Sequence, residues 1–183
     1  MGGQTMLRKT TPFLIVSFLV AGGVSSMAQL PNPCDIQVLS PAALSGPILV
    51  CPQGDGDPFS AKGGPLVIRV VDLSQVPLPN IPASDYWLKG CTGGVSLCGG
   101  HNSINADAPS DANGTTTISG AWRAGGCDIG IHIVAQFITA GDPNDCSQDL
   151  CMQVRVVSPD FNGDGVIDIV DFAAFGPHFL HIC

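Results

Sequence analysis

The chain of 183 residues contains no glutamate, because all fifteen of its acidic residues are aspartate. Aspartate favours turns, helix caps and cation sites while glutamate populates helix interiors, so this composition predicts a chain poor in helix. Lysine and arginine are also scarce, with seven in total, and the formal net charge is −8. A nucleic acid is therefore not expected as a partner.

The chain has no apolar run long enough to span a bilayer comfortably. Residues 1–28 instead have the successive regions of a secretory signal. Arg8 and Lys9 precede an apolar stretch at residues 12–24. Ser26-Met27-Ala28 then has the small-x-small pattern of a cleavage site. We expect an exported chain, secreted or at the cell surface, with no membrane span after cleavage; an uncleaved anchor is the alternative. Cleavage would remove two basic residues and change the formal charge from −8 to −10.

No nucleophile-elbow motif places a catalytic serine, and we expect no enzyme. No two cysteines have the CxxC spacing of a zinc site either. The eight cysteines are Cys34, Cys51, Cys91, Cys98, Cys127, Cys146, Cys151 and Cys183. An even number in an exported chain predicts up to four disulfides and no free thiol. The pairing is not fixed by spacing, and the short-range candidates are Cys91 with Cys98 and Cys146 with Cys151.

Between residues 29 and 157 the sequence consists of short β-rich runs separated by turn residues. The candidate strands are residues 36–39, 47–51, 65–73, 86–88, 115–122, 129–139 and 152–157. Seven strands without an intervening helical run predict a mainly β fold, in the form of a β-sandwich. Alternation on the longest strand places on one face Ile129, Ile131, Ile133, Ala135 and Phe137.

The segment Asp160–Asp171, DFNGDGVIDIVD, has oxygen ligands at the spacing of a calcium loop, with Gly165 at the sharp turn. Four carboxylates in one small loop would repel one another without a cation. The predicted Ca²⁺ ligands are Asp160, Asn162, Asp164, the backbone carbonyl of Val166, Asp168 and Asp171. A second cation site near Asp55 and Asp57 is an alternative to an ordinary turn.

A short helix is predicted to leave this loop, because Ile169, Phe172, Phe175 and Phe179 recur near helical spacing. Gly176-Pro177 is expected to end it. A helix this short needs its apolar face covered, either by the β-rich region at residues 29–157, here called the β-domain, or by another protein. Cys183 could link this tail to the body of the chain.

The loop pattern Asp-x-Asn-x-Asp-Gly-x-(Val/Ile)-(Asp/Asn)-x-x-Asp resembles one half of a type I dockerin repeat, an EF-hand-like motif. The resemblance covers residues 158–183 and implies calcium binding and docking onto a cohesin-like protein module. Dockerins carry two such repeats, and this chain matches one.

Residues 63–88 and 110–120 resemble the strand-and-turn units of a bacterial immunoglobulin-like domain of the invasin type. They carry the sequences GGPLVIRVVDLSQVPLPNIPASDYWL and SDANGTTTISG. The resemblance implies an immunoglobulin-like β-sandwich over residues 29–157. Members of that family act mostly as stalks, spacers and adhesive modules.

Two functions follow as hypotheses. The first is an exported, non-catalytic calcium-binding structural or interaction protein, acting in adhesion or as a scaffold. The second is a carbohydrate-binding or carbohydrate-processing component docked to a larger assembly. An exposed platform of Tyr86, Trp87 and Trp122, or a cleft with two facing aspartates, would favour the second. His132 is expected either to face solvent or to make a polar contact, rather than to be catalytic. His178 and His181 are expected to be tail residues near an interface rather than a metal pair.

Overall fold

The structure is a computed structural model that describes residues 31–178, with side chains as far as residue 173. The predicted signal segment, and Phe179, His181 and Cys183 of the tail, lie outside the described residues. The strands are β1 (Ile36–Ser40), β2 (Ile48–Leu49), β3 (Leu66–Val70), β4 (Tyr86–Gly90), β5 (Val95–Leu97), β6 (Thr115–Ile118), β7 (Ala124–Gly126), β8 (Asp128–Ala135), β9 (Ile138–Thr139), β10 (Gly141–Asp142), β11 (Asp145–Asp149) and β12 (Met152–Val157). One α-helix, α1 (Ile169–His178), follows them.

The strands form two larger sheets and two separate strand pairs. The first sheet has the order β1-β3-β6, and the second has the order β2-β12-β8-β4 with β9 beside β8. Strand β2 runs parallel to β12, whereas the other neighbours in these sheets are antiparallel. The separate pairs are β5-β7 and β10-β11. No helix in residues 31–178 has the length and apolar character needed to cross a bilayer.

Both larger sheets contribute side chains to one hydrophobic core. On β3, Leu66, Ile68 and Val70 are buried and alternate with less buried residues, as expected for a strand with one face inward. The second sheet contributes buried residues such as Leu88 and Ile133. The predicted mainly β fold is confirmed, and each of the seven predicted strands overlaps a strand of these two sheets.

Four short strands were not predicted. Strand β7 is Ala-Gly-Gly and β11 is wholly exposed, so neither has the alternation of apolar and polar residues that identifies a strand. The longest predicted strand is also shorter than expected. Gln136 and Phe137 adopt φ angles of 49° and 67° and form a two-residue turn between β8 and β9. Phe137 is therefore 77% exposed rather than on the core face, and Ile129 is exposed too.

The disulfides differ from the short-range candidates. Cys34 pairs with Cys146, and Cys91 pairs with Cys151. Strands β4 and β12 flank β8, and the Cys91–Cys151 bond crosses over Gly130 of β8, where an added Cβ would lie 2.9 Å from the sulfur of Cys91. Sheet order therefore decides this pairing, and sheet order is not visible in sequence spacing.

The prediction of no free thiols is wrong for the described part of the chain. Cys51 and Cys98 are free, whereas Cys127 is disulfide-bonded like the four cysteines above. Cys51 is buried, and burial, followed by a hydrogen bond with Asp55, raises the pKa of its thiol. Cys98 is partly accessible, and burial raises the pKa of its thiol as well.

We predict that alkylation of the native, unreduced protein labels Cys98 and that Cys51 is labelled only after unfolding. The reason is that a buried thiol is both inaccessible and disfavoured as a thiolate. Peptide mass mapping before and after denaturation measures both sites, with Cys34 and Cys91 as disulfide controls. Absence of label at both Cys51 and Cys98 in the unfolded chain would contradict the assignment.

A buried carboxylate, that of Asp128, joins β8 to the segment after β4. It accepts hydrogen bonds from the N–H of Thr92 (3.0 Å), the hydroxyl of Thr92 (2.9 Å) and the N–H of Gly94 (3.1 Å). The N–H of Ile129 donates to its other oxygen at 2.7 Å. Burial alone would raise the pKa of Asp128, but these hydrogen bonds outweigh it and lower the pKa.

We predict that Asp128→Asn lowers the free energy of unfolding at neutral pH by about 3 kcal/mol, because buried donors lose a charged acceptor. A lowered pKa stabilises the fold above the unfolded pKa, and this contribution is lost as pH falls through the folded pKa. The difference in the free energy of unfolding between wild type and variant should therefore become smaller below about pH 4. Denaturant unfolding at several pH values measures this difference, and the exposed Asp149→Asn is the control. A difference that does not change with pH would contradict the prediction.

Candidate calcium site

The predicted calcium loop directly follows β12 and is folded around the carboxylate of Asp160, which is fully buried. Its Oδ1 accepts the N–H groups of Gly163 (2.8 Å) and Asp164 (3.2 Å), and its Oδ2 accepts the N–H of Gly165 (2.9 Å). Gly163 and Gly165 have φ angles of 71° and 88°, which favour glycine. The turn predicted at Gly165 is therefore present, and the backbone there surrounds the carboxylate of Asp160.

The middle of the loop consists of Asx turns. Asn162 Oδ1 accepts the N–H of Asp164 at 2.9 Å, and Asn162 Nδ2 donates to Asp164 Oδ2 at 2.8 Å. Asp164 Oδ1 in turn accepts the N–H of Val166 at 2.9 Å. The side chains of Asn162, Asp164 and Asp168 are exposed, but each also accepts a backbone N–H of the loop or of the start of α1.

Asp171 closes the loop from the first turn of α1. Its carboxylate accepts the N–H of Asp168 at 2.8 Å and the N–H of Asn162 at 3.2 Å. The Asp168 N–H is the main cause of a lowered pKa at Asp171, and burial acts in the opposite direction. Asp171 is 3% exposed, and its carboxyl group lies within hydrogen-bonding range of Asp160. The predicted first and last ligands are thus brought together and buried.

The charges in this loop have no basic partner within residues 31–178, where the ion pairs are Lys62–Asp57 and Lys89–Asp149. Oxygen ligands of this kind and order suit Ca²⁺. The carboxylates face backbone N–H groups, and across the described residues no three His, Cys, Asp or Glu side chains gather at metal-binding distance. The donor set fits calcium, and binding would require the exposed side chains to turn inward while Asp160 and Asp171 keep their positions.

The loop lies against the strand pair β5-β7. The N–H of Gly126 donates to the carbonyl oxygen of Asp160 at 2.8 Å. Cys98, which follows β5, lies close enough to Asp160 for that carboxylate to contribute to the raised pKa of the thiol, after burial. The contact between the loop and the strand pair β5-β7 was not predicted, because the glycines that permit it have no recognisable pattern in the sequence.

Helix α1 differs from the expectation in its end. It continues past Gly176-Pro177 to His178. The fixed φ of proline is itself close to a helical value, so one further residue can follow it. Phe172 is 71% exposed, and the loop rather than Phe172 contacts the β-domain. The side chains of Phe175 and His178 lie outside the described residues.

The possible second cation site is occupied by protein contacts. Asp57 pairs with Lys62 at 2.9 Å and accepts the N–H of Leu49 at 2.9 Å. The hydrogen bond with Lys62 is the main cause of the lowered pKa of Asp57. Asp55 interacts with the thiol of Cys51. These contacts fit the turn interpretation.

Tyr86, Trp87 and Trp122 do not form the exposed platform that would have favoured carbohydrate binding. Trp122 and Tyr86 are fully buried, and Trp87 is 8% exposed beneath Phe137 and His101. The rings of these two residues are tilted by 69° and 55° from that of Trp87. His132 makes the expected polar contact, with Nδ1 2.8 Å from the carbonyl oxygen of Leu150.

Comparisons of the chain with protein-family models, with curated proteins and with solved structures gave no match.

Proposed function

We propose that this chain is an exported, non-catalytic protein that binds one Ca²⁺ in the loop at residues 160–171 and presents a protein-binding surface beside it. The observation that supports calcium most directly is the pair of buried carboxylates, Asp160 and Asp171. Burying two neighbouring charges is costly unless hydrogen bonds and an opposite charge compensate them. Backbone N–H groups supply the first, and Ca²⁺ would supply the second.

The β-domain is proposed to be an immunoglobulin-like sandwich. In that fold, strands A, B and E are neighbours in one sheet, and strands G, F and C in the other. The orders β1-β3-β6 and β12-β8-β4 correspond to these two series. The shared core supports the same interpretation. The resemblance to invasin-type domains would then suggest a spacer or adhesive role.

The protein-binding surface is proposed to be the apolar face around the loop and the start of α1. Six large apolar side chains are exposed within twelve residues: Phe161, Val166, Ile167, Ile169, Val170 and Phe172. Three of them, Phe161, Ile167 and Phe172, line a shallow groove of about 370 Å³ together with Pro159, Asp168 and Asp171. Concentrated exposed apolar surface is typical of interaction sites. The dockerin resemblance suggests a cohesin-like module as the partner.

Apolar residues alternate with the proposed ligands in this loop, and this links the two parts of the proposal. Phe161 stands between Asp160 and Asn162, and Val166 and Ile167 between Asp164 and Asp168. An ion that fixes the ligands also fixes the apolar residues between them. Calcium would therefore lower the entropy cost of docking a partner.

We predict one-to-one calcium binding by the mature protein in calorimetry. Asp160→Ala should weaken binding by about a hundredfold or more, because a buried charged ligand is lost. Asp149→Asn, an exposed carboxylate on β11, should bind as wild type does. An absence of heat at millimolar calcium, or equal binding by Asp160→Ala, would refute the proposed site.

We predict that the apolar face binds a protein only when calcium is present. Immobilised wild type, incubated with the native secretome, should retain a partner in calcium and release it in chelator. Phe172→Asp should lose the partner, because it places a charge in the apolar surface. Phe137→Asp is the matched control, because Phe137 is similarly exposed and lies in the turn between β8 and β9. Retention by Phe172→Asp, or loss by both variants, would show that this face is not the binding surface.

A further inference from the structure

The first proposed ligand, Asp160, is held by the β-domain as well as by its own loop. Its carbonyl oxygen accepts the N–H of Gly126, the last residue of β7. Its carboxylate lies directly against Gly125, where an added Cβ would overlap Asp160 Oδ2 and stand 2.7 Å from Asp160 Cγ. The lack of a side chain at position 125 is therefore what makes room for this carboxylate.

Strand β5 and the residue after it meet the same loop at Gly163 and Gly165. A Cβ added at Gly163 would lie 2.8 Å from the hydroxyl oxygen of Ser96, and one added at Gly165 would lie 3.8 Å from the sulfur of Cys98. Ser96 pairs with Gly125 across the two strands. The pair β5-β7 thus forms one continuous surface on which residues 160–165 rest.

We propose that the strand pair β5-β7 is a structural part of the calcium site, with Gly125 as a positioning residue for Asp160 and Ser96 as a positioning residue for the turn at Gly163. This inference rests on the proposed calcium function. The contacts fix Asp160 before any ion arrives, so less conformational freedom is lost when calcium binds. By linkage, an ion that binds only the docked loop also stabilises the docked strand pair.

Gly125→Ala tests the first positioning residue. Gly125 does not have a positive φ, so alanine changes the available space and not the backbone preference. We expect calcium affinity to fall by about tenfold or more, because the methyl group displaces the carboxylate. Gly120→Ala is the matched control, since a Cβ there meets nothing within 4 Å, and it should keep wild-type affinity.

Ser96→Leu tests the second residue, and it keeps the inference testable if Gly125→Ala does not fold. Ser96 is exposed, so a larger side chain there should leave the core intact but push against Gly163. Calcium affinity should again fall, while the unfolding temperature in chelator stays at the wild-type value. Ser147→Leu, an exposed serine on β11, controls for an added surface leucine and should change neither quantity.

Hydrogen exchange at the amide of Gly126 gives a readout on the β-domain itself. In wild type, calcium should slow this exchange, because Gly126 donates to Asp160 in the docked loop. In Asp168→Ala, which removes a proposed side-chain ligand at the other end of the loop, the same calcium concentration should have less effect.

The outcomes separate the two claims. If wild type binds no calcium, the proposed function fails. If wild type binds calcium while folded Gly125→Ala and Ser96→Leu bind it with wild-type affinity, calcium binding stands and the positioning inference is overturned. Unchanged exchange at Gly126 in calcium-loaded wild type would also overturn it.

Discussion

The tail depends on how the buried charge of Asp160 is accommodated. A carboxylate without exposure to water must be hydrogen-bonded or paired, and three backbone N–H groups of the loop point at this one. Those bonds force the chain into two left-handed turns at Gly163 and Gly165. The loop conformation, its contact with β7 and the approach of Asp171 all follow from satisfying Asp160.

The position of β12 explains why this charge lies against the β-domain. Strand β12 pairs with β2 on one side and β8 on the other, so it is an interior strand of its sheet. Asp160 follows only three residues after β12 ends, which leaves little chain to carry the loop away. The first residues of the tail are therefore held against the β-domain, while the beginning of α1 is exposed to solvent.

Long-range disulfides cross-link the β-domain. The Cys34–Cys146 bond closes a sequence separation of 112 residues, and the Cys91–Cys151 bond closes one of 60. Cross-links over such distances restrict the unfolded chain and can each contribute about 4 kcal/mol. The second bond joins the ends of β4 and β12 across β8, close to the clustered hydrogen bonds of Asp128. A cross-linked sheet is a suitable support for a loop whose proposed first ligand, Asp160, must stay in place.

The sequence by itself determined the features that depend on local spacing. Seven β-rich runs bounded by turn residues located the eight strands of the two larger sheets, and the spacing of the proposed ligands located the loop and its turn at Gly165, because both patterns lie within a few residues of sequence. Only the tertiary structure decided which cysteines meet, which two of those within residues 31–178 stay free, and that Phe137 leaves the core face. It also decided that Gly125 receives the carboxylate of Asp160. These outcomes depend on which strands become neighbours, and that depends on contacts between residues far apart in the chain.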